Sequence, residues 1–174
     1  EVFDYDKHYQ KLPNGADATP DMVEAIITEC ARLCENTIAP LYQKGDEEGC
    51  HLEDGKVTTP TGYKEAYQEL INGGWQGLSH PEEYGGQGLP VSLGMFKQEM
   101  MGAADWAFSM YPGLSTGAMN TILMHGTDEQ KETYLTRLTS GEWTGTMCLT
   151  EPQCGTDLGQ VKTRAIPQED GTYK

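Results

Sequence analysis

The fold is decided around Gly141-Glu142-Trp143-Thr144-Gly145-Thr146-Met147-Cys148-Leu149-Thr150-Glu151-Pro152-Gln153-Cys154-Gly155-Thr156-Asp157, because the periodicity of the chain changes within this stretch. Before it, apolar residues recur at the three- and four-residue spacing of helices that face a core. Within and after it, in 144–150 and in 161–166, apolar and polar residues alternate with the period of two that is typical of strands. We therefore predict a helical domain over residues 1–143 and the beginning of an incomplete β domain over 144–174.

The first long helix is predicted from Thr19-Pro20, a capping residue followed by a proline in the first turn. Residues 1–18 show little periodicity and are interpreted as an extended lead-in. The buried face of the helix, which should end near Pro40, is predicted to comprise Val23, Ile26, Ile27, Cys30, Leu33, Cys34 and Ile38. Cys30 and Cys34 are thus expected to face the core.

Further helices follow from the same signals. They are predicted to run from Thr59-Pro60 to Gly73-Gly74, from Pro90 to Met110 as a buried methionine-rich helix, from Leu114 to His125, and from Thr127 to Ser140-Gly141. Gln130, three residues after Thr127, completes a capping box. The glycine-rich segment 81–88 is predicted to be a structured turn, whereas Asp170-Gly171 is a hairpin signal with too few residues after it to form a paired strand.

Composition excludes several classes of function. The formal net charge is −15, and no cluster of lysine and arginine offsets it, which argues against nucleic acid as a partner. No apolar run approaches the roughly 18–20 residues of a membrane span, and no leader pattern is present, so a cytoplasmic location is expected. The five cysteines lack the spacing of a zinc site or a disulfide framework.

The segment 147–158 carries the candidate chemistry. A strand that ends in Thr-Glu-Pro, followed by a turn at Gly155-Thr156-Asp157, offers hydroxyls and free backbone N–H groups at one sheet edge. Such groups can hold a polar heterocycle or an anion. The alternative is an ordinary loop that contains an Asx or Thr turn.

Four motifs resemble the acyl-CoA dehydrogenase family in their order and spacing, and the likeness covers about residues 20–174. They are Pro81-Glu82-Glu83-Tyr84-Gly85-Gly86-Gln87-Gly88, Gly126-Thr127-Asp128-Glu129-Gln130-Lys131-Glu132-Thr133-Tyr134-Leu135, Ser140-Gly141-Glu142 and Thr150-Glu151-Pro152. Residues 110–114 and 141–150 are similar to the large bacterial branch that includes 3-methylmercaptopropionyl-CoA dehydrogenase. The resemblance implies a mainly α fold, with an up-and-down helical amino-terminal domain followed by the first strands of a β-barrel-like middle domain.

The resemblance also implies an FAD site. Met147 and Leu149 would lie against the flavin, and Thr150 would hydrogen-bond the edge of the ring near N5. Gly155 would allow the backbone to approach the cofactor closely, and the hydroxyl of Thr156 would meet the pyrophosphate. Cys154 stands where the family often has alanine and is small enough to replace it.

Four residues are implied to line the acyl pocket: Met110, Tyr111, Leu114 and Gly117. Core packing is the alternative for each of them. The implied reaction removes an α-proton from an acyl-CoA thioester and transfers a β-hydride to flavin N5. The catalytic base of the family is a carboxylate from a carboxy-terminal helical bundle that this chain does not reach, so no catalytic residue is assigned.

The resemblance implies partners as well. They are an acyl-CoA substrate, an electron-transfer flavoprotein or similar acceptor, and further copies of the full-length protein in a homo-oligomer. The 174-residue chain alone is expected to be inactive. A non-catalytic flavoprotein or interaction module of the same fold, of the alkylation-response type, is the alternative function.

Overall fold

The computed structural model describes residues 3–174 and is mainly helical. Its α-helices are α1 Tyr5–Tyr9, α2 Pro20–Leu33, α3 Tyr42–Glu48, α4 Tyr63–Asn72, α5 Val91–Ala104, α6 Trp106–His125 and α7 Asp128–Thr139. Strands β1 His51–Glu53 and β2 Lys56–Thr58 pair antiparallel between α3 and α4. Among these described helices, none combines the length and the apolar character that crossing a bilayer requires.

The predicted start of α2 is confirmed. The side chain of Thr19 accepts a hydrogen bond from the backbone N–H of Met22 at 3.3 Å, which satisfies one of the free donors of the first turn. After Leu33 the helical path continues through a π turn over Cys34–Ile38 and a 3₁₀ turn over Ala39–Leu41. The predicted end near Pro40 was wrong: the regular α-helix ends at Leu33, and helical backbone continues past Pro40 into α3.

The main core lies where α2, α4, α5 and α6 meet. Its buried members are Cys30, Leu33, Cys34, Ile38, Leu41, Ala66, Leu70, Met101 and Phe108. Burying a side chain the size of leucine contributes about 1.5–3 kcal/mol, so this cluster supplies a large part of the driving force for folding. The inward orientation predicted for Cys30 and Cys34 is confirmed.

A second cluster fixes α7 on α6. Met119 on α6 packs against Leu135 and Leu138 on α7, and all three are buried. The helix begins at the predicted capping box, in which Thr127 Oγ1 accepts from the Gln130 amide and Gln130 Oε1 accepts from the Thr127 amide. The glycine-rich turn that precedes α5 is also confirmed, since Gly86 donates to Pro81 O and Gly88 to His80 O.

The prediction of an extended lead-in and one predicted helix start were wrong. The lead-in is not wholly extended: it contains α1, because Tyr9 is buried and its hydroxyl lies 2.8 Å from Ser92 Oγ, a tertiary contact that local periodicity does not reveal. The second long helix does not begin at Thr59-Pro60 but at Tyr63, after Gly62. Gly62 has a φ of 94°, a conformation that glycine adopts without strain.

The break between α5 and α6 was also misplaced. We expected one helix from Pro90 to Met110, but the chain turns at Asp105, whose carboxylate caps α6 by accepting from the Phe108 amide. The α6 helix then runs through Pro112, where burial of Phe108 and Pro112 offsets the hydrogen bond that proline cannot donate. Several residues of the supposedly buried stretch are exposed, namely Val91, Met95 and Trp106.

The predicted strands at 144–150 and 161–166 are not formed within the part of the chain that the structure describes. Both segments are irregular, because neither has a neighbouring strand there to supply ladder hydrogen bonds. The hairpin signal at Asp170-Gly171 does give a turn, and the expectation that the last residues cannot pair was wrong. Ile166 and Lys174 exchange two backbone hydrogen bonds of 3.0 and 2.9 Å. The domain boundary at 143/144 stays a prediction.

Candidate functional site

Helix α6 holds the beginning of the irregular segment that starts at Thr144. The hydroxyl of Tyr111 donates to Thr144 Oγ1 at 3.3 Å, and the amide of Gly145 donates to Ser115 Oγ at 3.1 Å. A Cβ on Gly145 would lie 2.5 Å from the Cβ of Ala118, so only glycine allows this approach without a shift. The predicted acyl-contacting helix and the predicted flavin-contacting segment are thus anchored to one another.

Three of the four predicted substrate residues share one stripe of α6. Met110, Leu114 and Gly117 are spaced by four and three residues, which places them on the same helical face. Met110 is exposed, Leu114 is half-buried, and no atom lies within 4 Å of where a Cβ on Gly117 would be. Tyr111 points elsewhere, and its ring packs edge-on against Tyr67 at 5.1 Å.

Tyr111 borders a cavity of about 750 Å³ between α3, α4 and α6. Aromatic rings form much of its wall, contributed by Tyr42, Tyr63, Tyr67, Phe108 and Tyr111. The sequence placed Tyr63 and Tyr67 on a buried helical face, and their i, i+4 spacing is the signal for a shared aromatic wall.

One polar residue in the wall of this aromatic cavity, Asp105, is buried. It is 1% exposed and accepts from the hydroxyl of Tyr63 at 2.7 Å. Burial and this carboxylate raise the pKa of Tyr63, and burial, with a smaller effect of Tyr111, raises the pKa of Tyr67 to about 12. Both phenols therefore remain protonated, and able to donate hydrogen bonds, at neutral pH.

The predicted flavin residues lie on an exposed loop. The side chains of Met147 and Leu149 are 64% and 44% exposed, and Thr150, Gly155 and Thr156 are exposed too. Thr150 and Gly155 meet across the turn, since a Cβ on Gly155 would lie 3.6 Å from Thr150 Cγ2. Among the described residues, the side-chain hydroxyls of Thr150 and Thr156 have no hydrogen-bond partner. The donor set therefore fits FAD, with two free hydroxyls and a glycine beside them.

Glu151 closes this loop. Its carboxylate accepts from the backbone amides of Lys162 at 3.0 Å and Thr163 at 2.9 Å, and from the side-chain amide of Gln153. Hydrogen bonding, most strongly with Thr163, lowers the pKa of Glu151 from its ordinary 4.5 to about 2. The loop is also held closed at Cys154, which is buried and exchanges two backbone hydrogen bonds with Glu151. Glu151 therefore shapes the loop.

Comparison with known proteins decides the family. Residues 20–142 match the family described as the acyl-CoA dehydrogenase N-terminal domain. The chain belongs to this acyl-CoA dehydrogenase family. It is 48% identical, over 94% of its length, to the 3-methylmercaptopropionyl-CoA dehydrogenase of Ruegeria pomeroyi, of which it spans 28%.

Solved structures of acyl-CoA dehydrogenases share the fold of this family member. Butyryl-CoA dehydrogenase from Megasphaera elsdenii superimposes with a TM-score of 0.72 at 29% identity, over 88% of this chain and 38% of that one. An acyl-CoA dehydrogenase from Bacillus anthracis, solved in complex with FAD, gives a TM-score of 0.71 at 26% identity, over 91% of this chain and 26% of that one. The likeness confirms the mainly helical fold class.

Protonation of Glu151 is expected to open the loop that its carboxylate closes in this acyl-CoA dehydrogenase family member. Because its pKa is lower in the folded chain than in the unfolded one, the stabilisation is fully present above about pH 4.5 and is lost as the pH falls towards 2. Hydrogen exchange of the Lys162 and Thr163 amides, followed by NMR, should show protection at pH 5 that decreases below pH 4. In Glu151→Gln the same amides should be less protected at pH 5 and should lack this pH dependence. Equal protection in both proteins would contradict the assignment.

Two glycines near α6 are expected to respond in opposite ways to alanine. Gly117→Ala should raise the free energy of unfolding by about 1 kcal/mol, because the site is helical and has room for the methyl group. Gly145→Ala should lower it, because the new Cβ would overlap Ala118. Urea unfolding followed by circular dichroism measures both changes. A destabilised Gly117→Ala variant would mean that Gly117 is needed for the fold itself.

Proposed function

We propose that this chain is the amino-terminal part of an FAD-dependent acyl-CoA dehydrogenase, which oxidises an acyl-CoA thioester to the 2,3-enoyl-CoA. The observation that carries the proposal is the exposed loop with Thr150, Gly155 and Thr156, anchored at its start to α6 by Tyr111 and Ser115. The loop offers free hydroxyls, and the helix offers an exposed stripe on which an acyl group can lie. The chain spans less than a third of the 3-methylmercaptopropionyl-CoA dehydrogenase, so the activity is proposed for the full-length protein.

Each residue of the loop has a distinct part in holding the cofactor. Thr150 donates to the edge of the isoalloxazine ring, and Thr156 donates to the pyrophosphate, where a hydrogen bond to a charged group is worth more than one to a neutral group. Gly155 lets the backbone approach, while Met147 and Leu149 pack on the ring. When bound, FAD supplies the hydride acceptor, and the protein supplies alignment and polarisation.

The acyl group is proposed to follow the stripe of Met110, Leu114 and Gly117, with Tyr111 beside it. Gly117 leaves open the volume that a larger side chain would fill. Glu151 is not the base, because its carboxylate is occupied by the amides that close the loop. The electron acceptor is proposed to be an electron-transfer flavoprotein or a similar carrier, and the full-length protein is proposed to be a cytoplasmic homo-oligomer.

The full-length protein tests this function. It should purify yellow and should reduce a dye acceptor when an acyl-CoA thioester is added, with formation of the 2,3-enoyl product detected by mass spectrometry. A yellow protein that turns over no acyl-CoA thioester would instead favour a non-catalytic flavoprotein. A colourless protein that cannot be loaded with FAD would overturn the proposal.

A further inference from the structure

The aromatic cavity between α3, α4 and α6 has the size of a small-molecule site. Its volume of about 750 Å³ lies within the range of about 300–1,000 Å³ that is typical of ligand pockets. Both ends of the β1–β2 hairpin border it, through Cys50 and Thr59. Of the described residues that line it, Tyr111 alone was predicted to contact flavin or substrate. The cavity is therefore a candidate for a ligand of its own.

The aromatic rings in the wall are steeply inclined to one another. The rings of Tyr63 and Phe108 meet at 66° with centroids 5.7 Å apart, and those of Tyr67 and Tyr111 meet at 74° with centroids 5.1 Å apart. Such pairs form walls in more than one direction, whereas stacked rings would form a single wall. The negative face of an aromatic ring attracts a cation that lies within about 6 Å of its centroid. Inclined aromatic walls of this kind are suited to quaternary ammonium groups.

The hydroxyl protons of these tyrosines are used within the chain. Tyr63 donates to Asp105 Oδ2 at 2.7 Å, and Tyr67 donates to the carbonyl oxygen of Gly141 at 3.2 Å. The hydroxyl of Tyr111 donates to the segment that precedes the flavin loop. These side chains therefore offer a ligand their rings and not the hydrogen-bond donors that an anion requires. A quaternary ammonium group has no N–H, so it can bind to ring faces without an acceptor.

The charged residues in the wall also favour a cation. They are Asp46, Lys64 and Asp105. Asp46 and Lys64 are exposed, so solvent screens their charges. Asp105 is 1% exposed, and across residues 3–174 no lysine, arginine or histidine lies within ion-pair distance of it. Because charges interact more strongly in a protein interior than in water, this carboxylate attracts a cation in the cavity without touching it.

Tyr63 links this buried carboxylate to the ring wall. Its hydroxyl donates to Asp105, and it lies so close to Gly45 of α3 that a Cβ there would be 2.1 Å away. These two contacts hold the ring in place. Donation to a carboxylate polarises the phenol and makes the face of its ring more negative, which strengthens the attraction for a cation. The wall is thus arranged for a cation before binding, and such preorganisation favours affinity.

We propose that the aromatic cavity binds a small quaternary ammonium compound, held by the ring faces and by the buried charge of Asp105. The formal net charge of −15 favours the approach of such a cation from solution. The inference does not depend on the flavin loop or on the dehydrogenase activity proposed above. Tyr42 is the ring best suited to a test, because it is 64% exposed and can be replaced without disturbing the core.

Calorimetric titration of the full-length protein with choline tests the proposal. The matched ligand is 3,3-dimethylbutan-1-ol, which has the shape of choline without its charge. At constant ionic strength, choline should bind about 5- to 30-fold more tightly than the alcohol, as expected for a cation among aromatic rings. In Tyr42→Leu this ratio of affinities should fall about 2- to 5-fold, since one ring face is lost. Tyr42→Phe keeps the ring and should keep the ratio. Tyr173→Leu removes a similarly exposed tyrosine outside the cavity and should leave the ratio unchanged.

Asp105→Asn provides a second variant, which removes the buried charge and keeps a capping oxygen for α6. It should lower the same ratio of affinities, because the alcohol does not respond to the charge. Choline that binds no more tightly than the alcohol in the wild type would overturn the inference. A ratio that either Tyr42→Leu or Asp105→Asn leaves unchanged would overturn it as well.

Vesicles of phosphatidylcholine distinguish the source of the quaternary ammonium group. If the ligand is a small compound, the full-length protein should stay in the supernatant when these vesicles are sedimented. Sedimentation with the vesicles that free choline abolishes would assign the cavity to a lipid headgroup and would overturn the small-molecule assignment.

Discussion

Asp105→Ala should lower the free energy of unfolding by about 1.5–5 kcal/mol, since the substitution removes one buried and one part-buried hydrogen bond at once. The carboxylate of Asp105 caps α6 by accepting from the Phe108 amide at 3.0 Å and accepts from the hydroxyl of Tyr63 at 2.7 Å. Losing a helix cap costs about 0.5–2 kcal/mol, and leaving the part-buried Tyr63 hydroxyl without its partner costs at most about 1–3 kcal/mol. The two effects together make this polar residue one of the most sensitive positions in the helical domain.

Urea unfolding followed by circular dichroism measures this change. Asp105→Asn is the matched control, because its side-chain oxygen can still cap α6 and its amide can donate to the hydroxyl of Tyr63. It should lose clearly less stability than Asp105→Ala. Tyr63→Phe removes only the second hydrogen bond, and its effect should not add fully to that of Asp105→Ala, since the two side chains share one contact. A loss below about 1 kcal/mol in Asp105→Ala would show that water replaces both bonds.

The helices could be predicted where a local signal begins each one. Thr19 and Thr127 both cap through side-chain contacts within three residues, so the sequence carries the whole interaction. The break at Asp105 could not be placed in the same way, because the apolar residues around it continue without interruption from one helix into the next. What selects Asp105 includes the hydroxyl of Tyr63, 42 residues away along the chain. Long-range contacts of this kind leave no periodic trace.

The functional residues also differ in whether a local sequence signal or a long-range contact determines them. The loop residues from Met147 to Thr156 were named from family motifs, and their contact with the flavin stays a prediction; the structure shows that Met147, Leu149, Thr150, Gly155 and Thr156 are exposed. Nothing in the sequence indicated that Lys97 of α5 is buried, since its burial depends on tertiary packing, in which its Nζ donates to the carbonyl oxygen of Trp75. The strands at 144–150 and 161–166 were overpredicted for a related reason, because alternation indicates a strand only when a neighbour supplies its hydrogen bonds.

Gly155→Val should weaken FAD binding by the full-length protein about 5- to 150-fold, equivalent to about 1–3 kcal/mol of overpacking against the cofactor. Within the chain itself the position has room, because a Cβ there would be in ordinary contact, 3.6 Å from Thr150 Cγ2. Gly155 is also not among the glycines with positive φ. Neither sterics nor backbone conformation in the described chain therefore requires glycine here, and close approach of the cofactor is the reason we assign to it.

The stability of the apo protein distinguishes an effect on FAD binding from an effect on folding. Apo Gly155→Val should unfold within about 0.5 kcal/mol of the apo wild type, as surface substitutions usually do, while fluorescence titration with FAD shows the weaker affinity. Gly155→Ala should lie between the two proteins in affinity, because the loss grows with the volume added beside the cofactor. Thr156→Val, which removes the hydroxyl and keeps the shape, should also weaken binding, since the pyrophosphate loses a donor. Unchanged FAD affinity in Gly155→Val would place the cofactor elsewhere. If Gly155→Val lost as much free energy of unfolding in the apo protein as free energy of FAD binding, glycine would be required for the loop conformation and not for contact with the flavin.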